Sequence, residues 1–161
     1  MPEFHLDTDG AVEAAPGSNL VGAIHFHDDL DAFTQGYIEA LFFTSGDPCG
    51  SFNEGEAGEN DDLTAVYGFS DLAPETLAAI IEDCRTFQMI AEADLTEAND
   101  IDHQCGEAEA GRDFWYTRNG HGCGFWDGDW PEPYATALTD ACKAFRSLDA
   151  YLGDDGKVYL S

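Results

Sequence analysis

Residues 113–127 read DFWYTRNGHGCGFWD. Two aromatic runs, Phe114 to Tyr116 and Phe125 to Trp126, flank Asn119-Gly120, a dipeptide that marks a tight turn between strands. Asn119, Gly120, Gly122 and Gly124 suit the positive φ angles such a turn needs. Arg118 and Asp113 are placed to form a cross-strand ion pair. Alternation over 113–118 predicts one buried set of side chains, with Trp115 or Trp130 partly exposed. This reading predicts a β-hairpin. The last residues, AYLGDDGKVYLS, predict a second one: Tyr151 and Leu152, a turn through Asp154-Asp155-Gly156, then Val158 to Leu160.

Outward from these hairpins the apolar spacing turns helical. Residues 134–147 set Leu138, Ala141, Cys142, Phe145 and Leu148 on one side. Residues 97–110 predict a more polar helix whose acids form a solvated face. The clearest helix spans 74–91. It starts after Ser70 or Asp71, with Pro74 in its first turn and Glu75 at the positive end of its dipole. Leu77, Ile80, Ile81, Cys84, Phe87 and Met89 make its buried face. A helix over 30–43, capped by Asp28 or Asp29, carries Phe33, Tyr37, Ile38, Leu41 and Phe42. Residues 45–62 predict a Gly-rich acidic loop, 21–26 a short strand, and 1–20 a loose tail. The sum is an α+β domain over 21–161: a small antiparallel sheet of two hairpins packed with about four helices.

The chain has 161 residues and is 43% hydrophobic, with 11 Phe, 6 Tyr and 3 Trp, enough to build a core. Its charge is unusual: 33 acids against 6 bases give −27. Residues 1–84 hold more than half of the acids and no Lys or Arg. Direct nucleic-acid binding rests on Lys and Arg neutralising phosphates, so this composition argues against it and for a basic protein surface as partner. Five cysteines at no framework spacing, a polar and acidic N-terminus and the lack of a long apolar run fit a reducing cytoplasm and no membrane segment.

The segment Gly111 to Asp127, GRDFWYTRNGHGCGFWD, followed by the turn Gly153-Asp154-Asp155-Gly156, resembles a G-x-D-F-x-x-T-R-N-G-H-G-x-G-F-W-D run in small uncharacterised proteins of bacteriophages and plasmids. The resemblance covers residues 106–160. It implies a mobile-element origin and no particular chemistry. By charge, the chain also resembles the DNA-mimic inhibitors of restriction and CRISPR systems.

Each candidate for chemistry has a simpler role beside it. His103-x-Cys105 and His121-x-Cys123 supply four zinc-type ligands, but 103 and 105 fall at a helix or its end, where i, i+2 side chains diverge. Segments of the resembled kind usually carry Ala where this chain has Cys123. His25-x-His27 is a weaker metal pair. Arg112, Asp113, Arg118, Asn119, His121, Asp127 and Asp129 combine an acid, a base and an anion-binding group, and turn chemistry explains most of them. Asp127-x-Asp129 and Asp154-Asp155-Gly156 lack the full calcium-loop pattern. No metal or other cofactor, and no catalytic residue, is expected.

The expected function is therefore an acidic nucleic-acid mimic from a mobile element. It would bind a basic groove on a host nuclease or CRISPR effector. The expected contact residues are Asp28, Asp29, Asp31, Glu39, Glu54, Glu56, Glu59, Asp61, Asp62, Glu75, Glu82 and Asp83, with Glu92 and Glu97 beside them. The first helix and the acidic loop are expected to be the freest of core duties. The alternatives are an adaptor whose charge serves solubility or salt tolerance, and a small enzyme or metalloprotein around His121.

Overall fold

The computed structural model describes residues 27–44 and 68–161. The expected tail at 1–20, strand at 21–26 and loop at 45–62 lie outside these residues. Five α-helices and one antiparallel hairpin make up the described fold: α1 (Ala32–Thr44), α2 (Pro74–Ile90), α3 (Glu92–Ile101), α4 (Glu107–Asn119), α5 (Tyr134–Cys142), β1 (Ala150–Leu152) and β2 (Val158–Leu160). Single turns of 3-10 helix at His27–Asp29 and Phe69–Asp71 precede α1 and α2. The α+β reading holds at this level, with one hairpin rather than two.

Asp31 caps α1: its Oδ1 accepts the Thr34 N–H at 2.8 Å. All five apolar residues expected on this helix, Phe33, Tyr37, Ile38, Leu41 and Phe42, are buried. The helix lies against α4 at very close range. Gly36 and Gly111 make that possible, because a Cβ at either would run into the backbone carbonyl of Ala108 or of Phe33. Helix α1 is thus a central core element, which corrects the expectation that it is freest for contact. Its apolar stripe is wide, and a residue pattern that buries Phe33, Tyr37 and Leu41 needs a partner helix.

The first expected hairpin is the main correction. Residues 113–119 complete α4, whose buried face is Ala110, Gly111, Phe114, Trp115 and Arg118. Those positions recur at helical spacing, and burial against α1 overrides the strand preference of three consecutive aromatics. Asn119-Gly120 is a helix stop. Gly120 adopts φ 68°, its N–H reaches the Thr117 carbonyl, and the His121 N–H donates to Tyr116 O at 3.1 Å. This is the paired-bond C-terminal cap that favours glycine. The positive φ agrees with the sequence reading, while the element around it is a helix end and not a hairpin turn. Asn119 fixes the stop further, donating from Nδ2 to Trp115 O at 3.0 Å and accepting the Leu148 N–H at 2.6 Å.

With no first hairpin, Arg118 and Asp113 are not a cross-strand pair. Arg118 binds Asp83 at 2.9 Å, while Asp113 accepts the Trp130 indole N–H. Trp115 and Trp130 are both buried, and the exposed tryptophan is Trp126. The expected helix at 97–110 is two helices, α3 and α4, broken at Asp102–Gly106, where Asp102 Oδ1 accepts the Gln104 N–H at 3.0 Å. Helix α5 stops at Cys142 rather than 147, with Phe145 and Leu148 still packed on the core. Met89, expected on the buried face of α2, is 71% exposed, since that face ends with Phe87.

The core is an aromatic cluster in which Phe87 stacks on Phe114 with centroids 4.3 Å apart, ringed by Phe33, Tyr37, Phe125 and Phe145. Cys84 and Cys142 are small buried residues, as expected. The C-terminal hairpin forms as expected, pairing Tyr151 with Tyr159. It is tied to the start of α2 by the Ala73 N–H donating to Val158 O at 3.0 Å. No described helix is long and apolar enough to cross a membrane.

Candidate functional site

An acidic surface works through the carboxylates that the fold leaves uncommitted, so the cations come first. Four of them hold acids already. Arg85 lies 3.7 Å from Glu82, Arg112 holds Glu39 at 3.2 Å and Glu109 at 2.8 Å, Arg118 holds Asp83 at 2.9 Å, and Lys143 holds Asp140 at 3.0 Å. Arg118 is the structural one. Its side chain is 2% exposed, donates twice to Arg146 O and once to Tyr37 Oη, and lies over the Phe114 and Phe145 rings. Asp83 is therefore the counter-ion of a buried guanidinium.

The expected contact residues separate on this test. Glu39, Glu82 and Asp83 are engaged by arginines. Asp31 caps α1 with one oxygen and takes the Gln88 side-chain amide at 3.3 Å with the other. Asp28 and Asp29 are exposed on the 3-10 turn before α1. Glu75 is exposed in the first turn of α2. It lies far from Asp31, which contacts the other end of α2 through Gln88: roughly 20 Å at about 1.5 Å per residue. Glu54, Glu56, Glu59, Asp61 and Asp62 lie outside the described residues.

A further group of acids gathers elsewhere. Between Arg85 and Arg112 the chain has no Lys or Arg, yet it carries Glu92, Asp94, Glu97, Asp100, Asp102, Glu107 and Glu109. Ala91, Leu95 and Ala98 turn α3 inward, which leaves Glu92, Glu97 and Asp100 exposed, Glu97 accepting the Tyr134 hydroxyl at 2.6 Å, and Glu107 is exposed at the start of α4. Folding explains only part of this arrangement: Glu92 and Glu107 sit in the first turns of α3 and α4, at the positive ends of their dipoles. Acids at i, i+3, such as Asp94, Glu97 and Asp100, repel along a helix, and Asp100 sits at the negative end of the α3 dipole. The sequence reading names Glu92 and Glu97 among the contact residues and takes the other acids of 97–110 as a solvated face. The signal that finds them is the gap in bases between 86 and 111.

The cluster around the hairpin sequence is dispersed. Arg112 is exposed enough to bridge α1 and α4 through Glu39 and Glu109. Asp113 is held up to a pKa of about 6 by burial, with Asp127, Glu109 and Asp129 adding to the effect against the opposing Trp130 hydrogen bond. His121 stacks near Trp115 at 6.1 Å, and burial lowers its pKa. Asp127 staples its own loop, accepting the Gly124 N–H at 3.2 Å and the Asp129 N–H at 3.4 Å. Asp155 does the same in the β1–β2 turn, accepting the Lys157 N–H at 3.0 Å and the Tyr159 hydroxyl at 2.8 Å.

Of the zinc-type residues, Cys105 is buried with its thiol donating to Asp129 O at 3.6 Å, while His103 and His121 are exposed. Burial pushes the Cys105 thiol up to about 11. Among the described residues no group of three or more His, Cys, Asp or Glu is arranged to hold a metal ion. His25 lies outside them, and His27 contacts the Gln35 carbonyl and Asp28.

Comparison of the chain with protein-family models, with curated proteins and with solved structures gives no match.

Proposed function

We propose that this chain is an acidic nucleic-acid mimic of mobile-element origin that occupies a basic, nucleic-acid-binding groove on a host defence protein, a nuclease or CRISPR effector. One observation carries the reading: exposed carboxylates on α3 and the first turn of α4, Glu92, Glu97, Asp100 and Glu107, in a stretch without Lys or Arg and with no cation holding any of the four among the described residues. Asp94, Glu97 and Asp100 rise by about 4.5 Å from one to the next along the helix axis. That is of the same order as the roughly 3.4 Å between phosphates along one strand of a duplex. A basic groove built to neutralise phosphates meets comparable charge density on this face. The resemblance of residues 111–127 to phage and plasmid proteins belongs to the same proposal.

The partner surface in this reading centres on Glu92 and Glu97, which the sequence reading already includes, and adds Asp100 and Glu107. The test measures binding to a panel of purified restriction nucleases and CRISPR effectors. The expected result is a complex that excess duplex DNA displaces and that weakens steeply between about 50 and 500 mM salt. A complex indifferent to both DNA and salt sinks the proposal.

Exposed acids on β1–β2, such as Asp154, and on α5, such as Asp140, lie outside that row. They favour the second reading, charge for solubility or salt tolerance. It predicts no DNA-competed partner, and stability that rises with added salt.

A further inference from the structure

A cavity of about 540 Å³ opens where the start of α1, the second half of α2, α3 and the first turn of α4 meet. Its volume is within the roughly 300–1,000 Å³ of small-molecule pockets. Leu30, Phe33, Ile81, Leu95 and Ala110 give it an apolar lining. Its charged groups are Asp31, Glu92 and Glu107, against Arg85. Arg85 is the partner of Glu82, and both oxygens of Asp31 are occupied by Thr34 and Gln88. Glu92 and Glu107 are exposed and hold no hydrogen bond or ion pair among the described residues.

We propose that this cavity binds a small amphipathic organic cation, an ammonium on an apolar alkyl or aryl body. The body leaves water for the apolar lining, which supplies the gain in proportion to buried area. The ammonium stays at the mouth, beside Glu92 and Glu107, where water limits its desolvation. A net charge of −27 raises the local concentration of cations and opposes anions. A neutral ligand of the same shape gains only the apolar part. The inference rests on the cavity and its rim, independently of any protein partner.

The test is calorimetric titration of the full chain with phenethylammonium chloride, and with its neutral isostere 2-phenylethanol, at about 100 mM salt. Amide and methyl resonances locate the ligand. One-to-one saturable binding that shifts Leu30, Ile81 and Leu95 is expected, with the alcohol weaker by about tenfold or more. The double variant Glu92→Gln, Glu107→Gln changes two exposed side chains and should keep its circular dichroism while losing about tenfold in affinity. Asp149→Asn with Asp154→Asn, two exposed acids at the distant hairpin, should stay within about twofold. No saturable binding overturns the proposal. So does an alcohol that binds equally well, or a hairpin variant that weakens binding as much as the rim variant, which would mean diffuse attraction by net charge alone.

Discussion

Helix α1 with its cap and helix α3 both carry exposed acids and are free of Lys and Arg, yet the fold uses those acids in opposite ways. On α1, Asp31 caps the helix and Glu39 is held by Arg112. On α3, Glu92 and Asp100 have no such partners among the described residues, and the nearest bases in the chain are Arg85 and Arg112. Net charge therefore says little about where an acidic surface acts. The position of the few cations decides it, because each removes its neighbours from the pool of free carboxylates. Six bases in a chain of 33 acids are sparse enough to be read one by one.

The comparison breaks first at the α1–α4 crossing. Gly111→Ala places a methyl group against the Phe33 carbonyl, where backbone cannot yield without parting the helices. We expect a loss of about 3 kcal/mol or more in urea unfolding. An unchanged midpoint would mean that α1 is not the core element described. Next comes charge reversal on α3. Glu92, Glu97, Asp100 and Glu107 changed together to Lys should weaken partner binding by about 100-fold or more, through lost pairing and an inverted local field. The urea midpoint should hardly move. If reversing Asp28 and Asp29 is the more damaging change, the interface is on the α1 side after all.

Asp83→Ala tests the acids that the fold has committed. It strands the Arg118 guanidinium in the core, and the cost should be about 2–3 kcal/mol, below that of a fully buried pair because Asp83 is 34% exposed. Smaller again are the two helix caps. Asp31→Ala removes the acceptor for Thr34 and should cost about 1 kcal/mol. Gly120→Ala forces a Cβ into φ 68° and should cost about 1 kcal/mol. Either variant tested by thermal melting with no loss would show that the helix end is held by packing alone.

How far the sequence could be read follows from these same residues. The stripes on α1 and α2 were legible because burial on one side leaves a 3.6-residue period, and Pro74 marks a start. The β1–β2 hairpin was legible from Asp155-Gly156. The segment 113–119 misled, because Phe114-Trp115-Tyr116 carries strand propensity and Asn119-Gly120 serves equally as a hairpin turn and as a helix stop. Gly111 held the missing information. A glycine four residues after Glu107 looks like a helix fault, and only the neighbouring helix explains it. The committed acids were hidden for a related reason: Arg118–Asp83 and Arg112–Glu39 join residues far apart in sequence, and no local pattern encodes such pairs.

The smallest expected effect concerns Asp113, which contrasts with the exposed acids of α3. Burial holds its pKa near 6, against an ordinary 3.8, and the nearby Asp127, Glu109 and Asp129 push the same way. The folded protein therefore keeps a proton on Asp113 at pH values where the unfolded chain has lost it. Stability from this group is full below about pH 4, falls as pH rises towards 6, and is flat above that. The other carboxylates titrate in the same window, so wild type alone cannot isolate the effect. Asp113→Asn can, because an amide has no proton to lose and its oxygen still accepts the Trp130 N–H. The difference in melting temperature, variant minus wild type, should grow in the variant's favour from about pH 4 to 6.5 and then level. A difference that moves the other way would show that the Trp130 hydrogen bond, which favours the carboxylate, outweighs burial. Asp113 would then be one more committed anion, like Asp83.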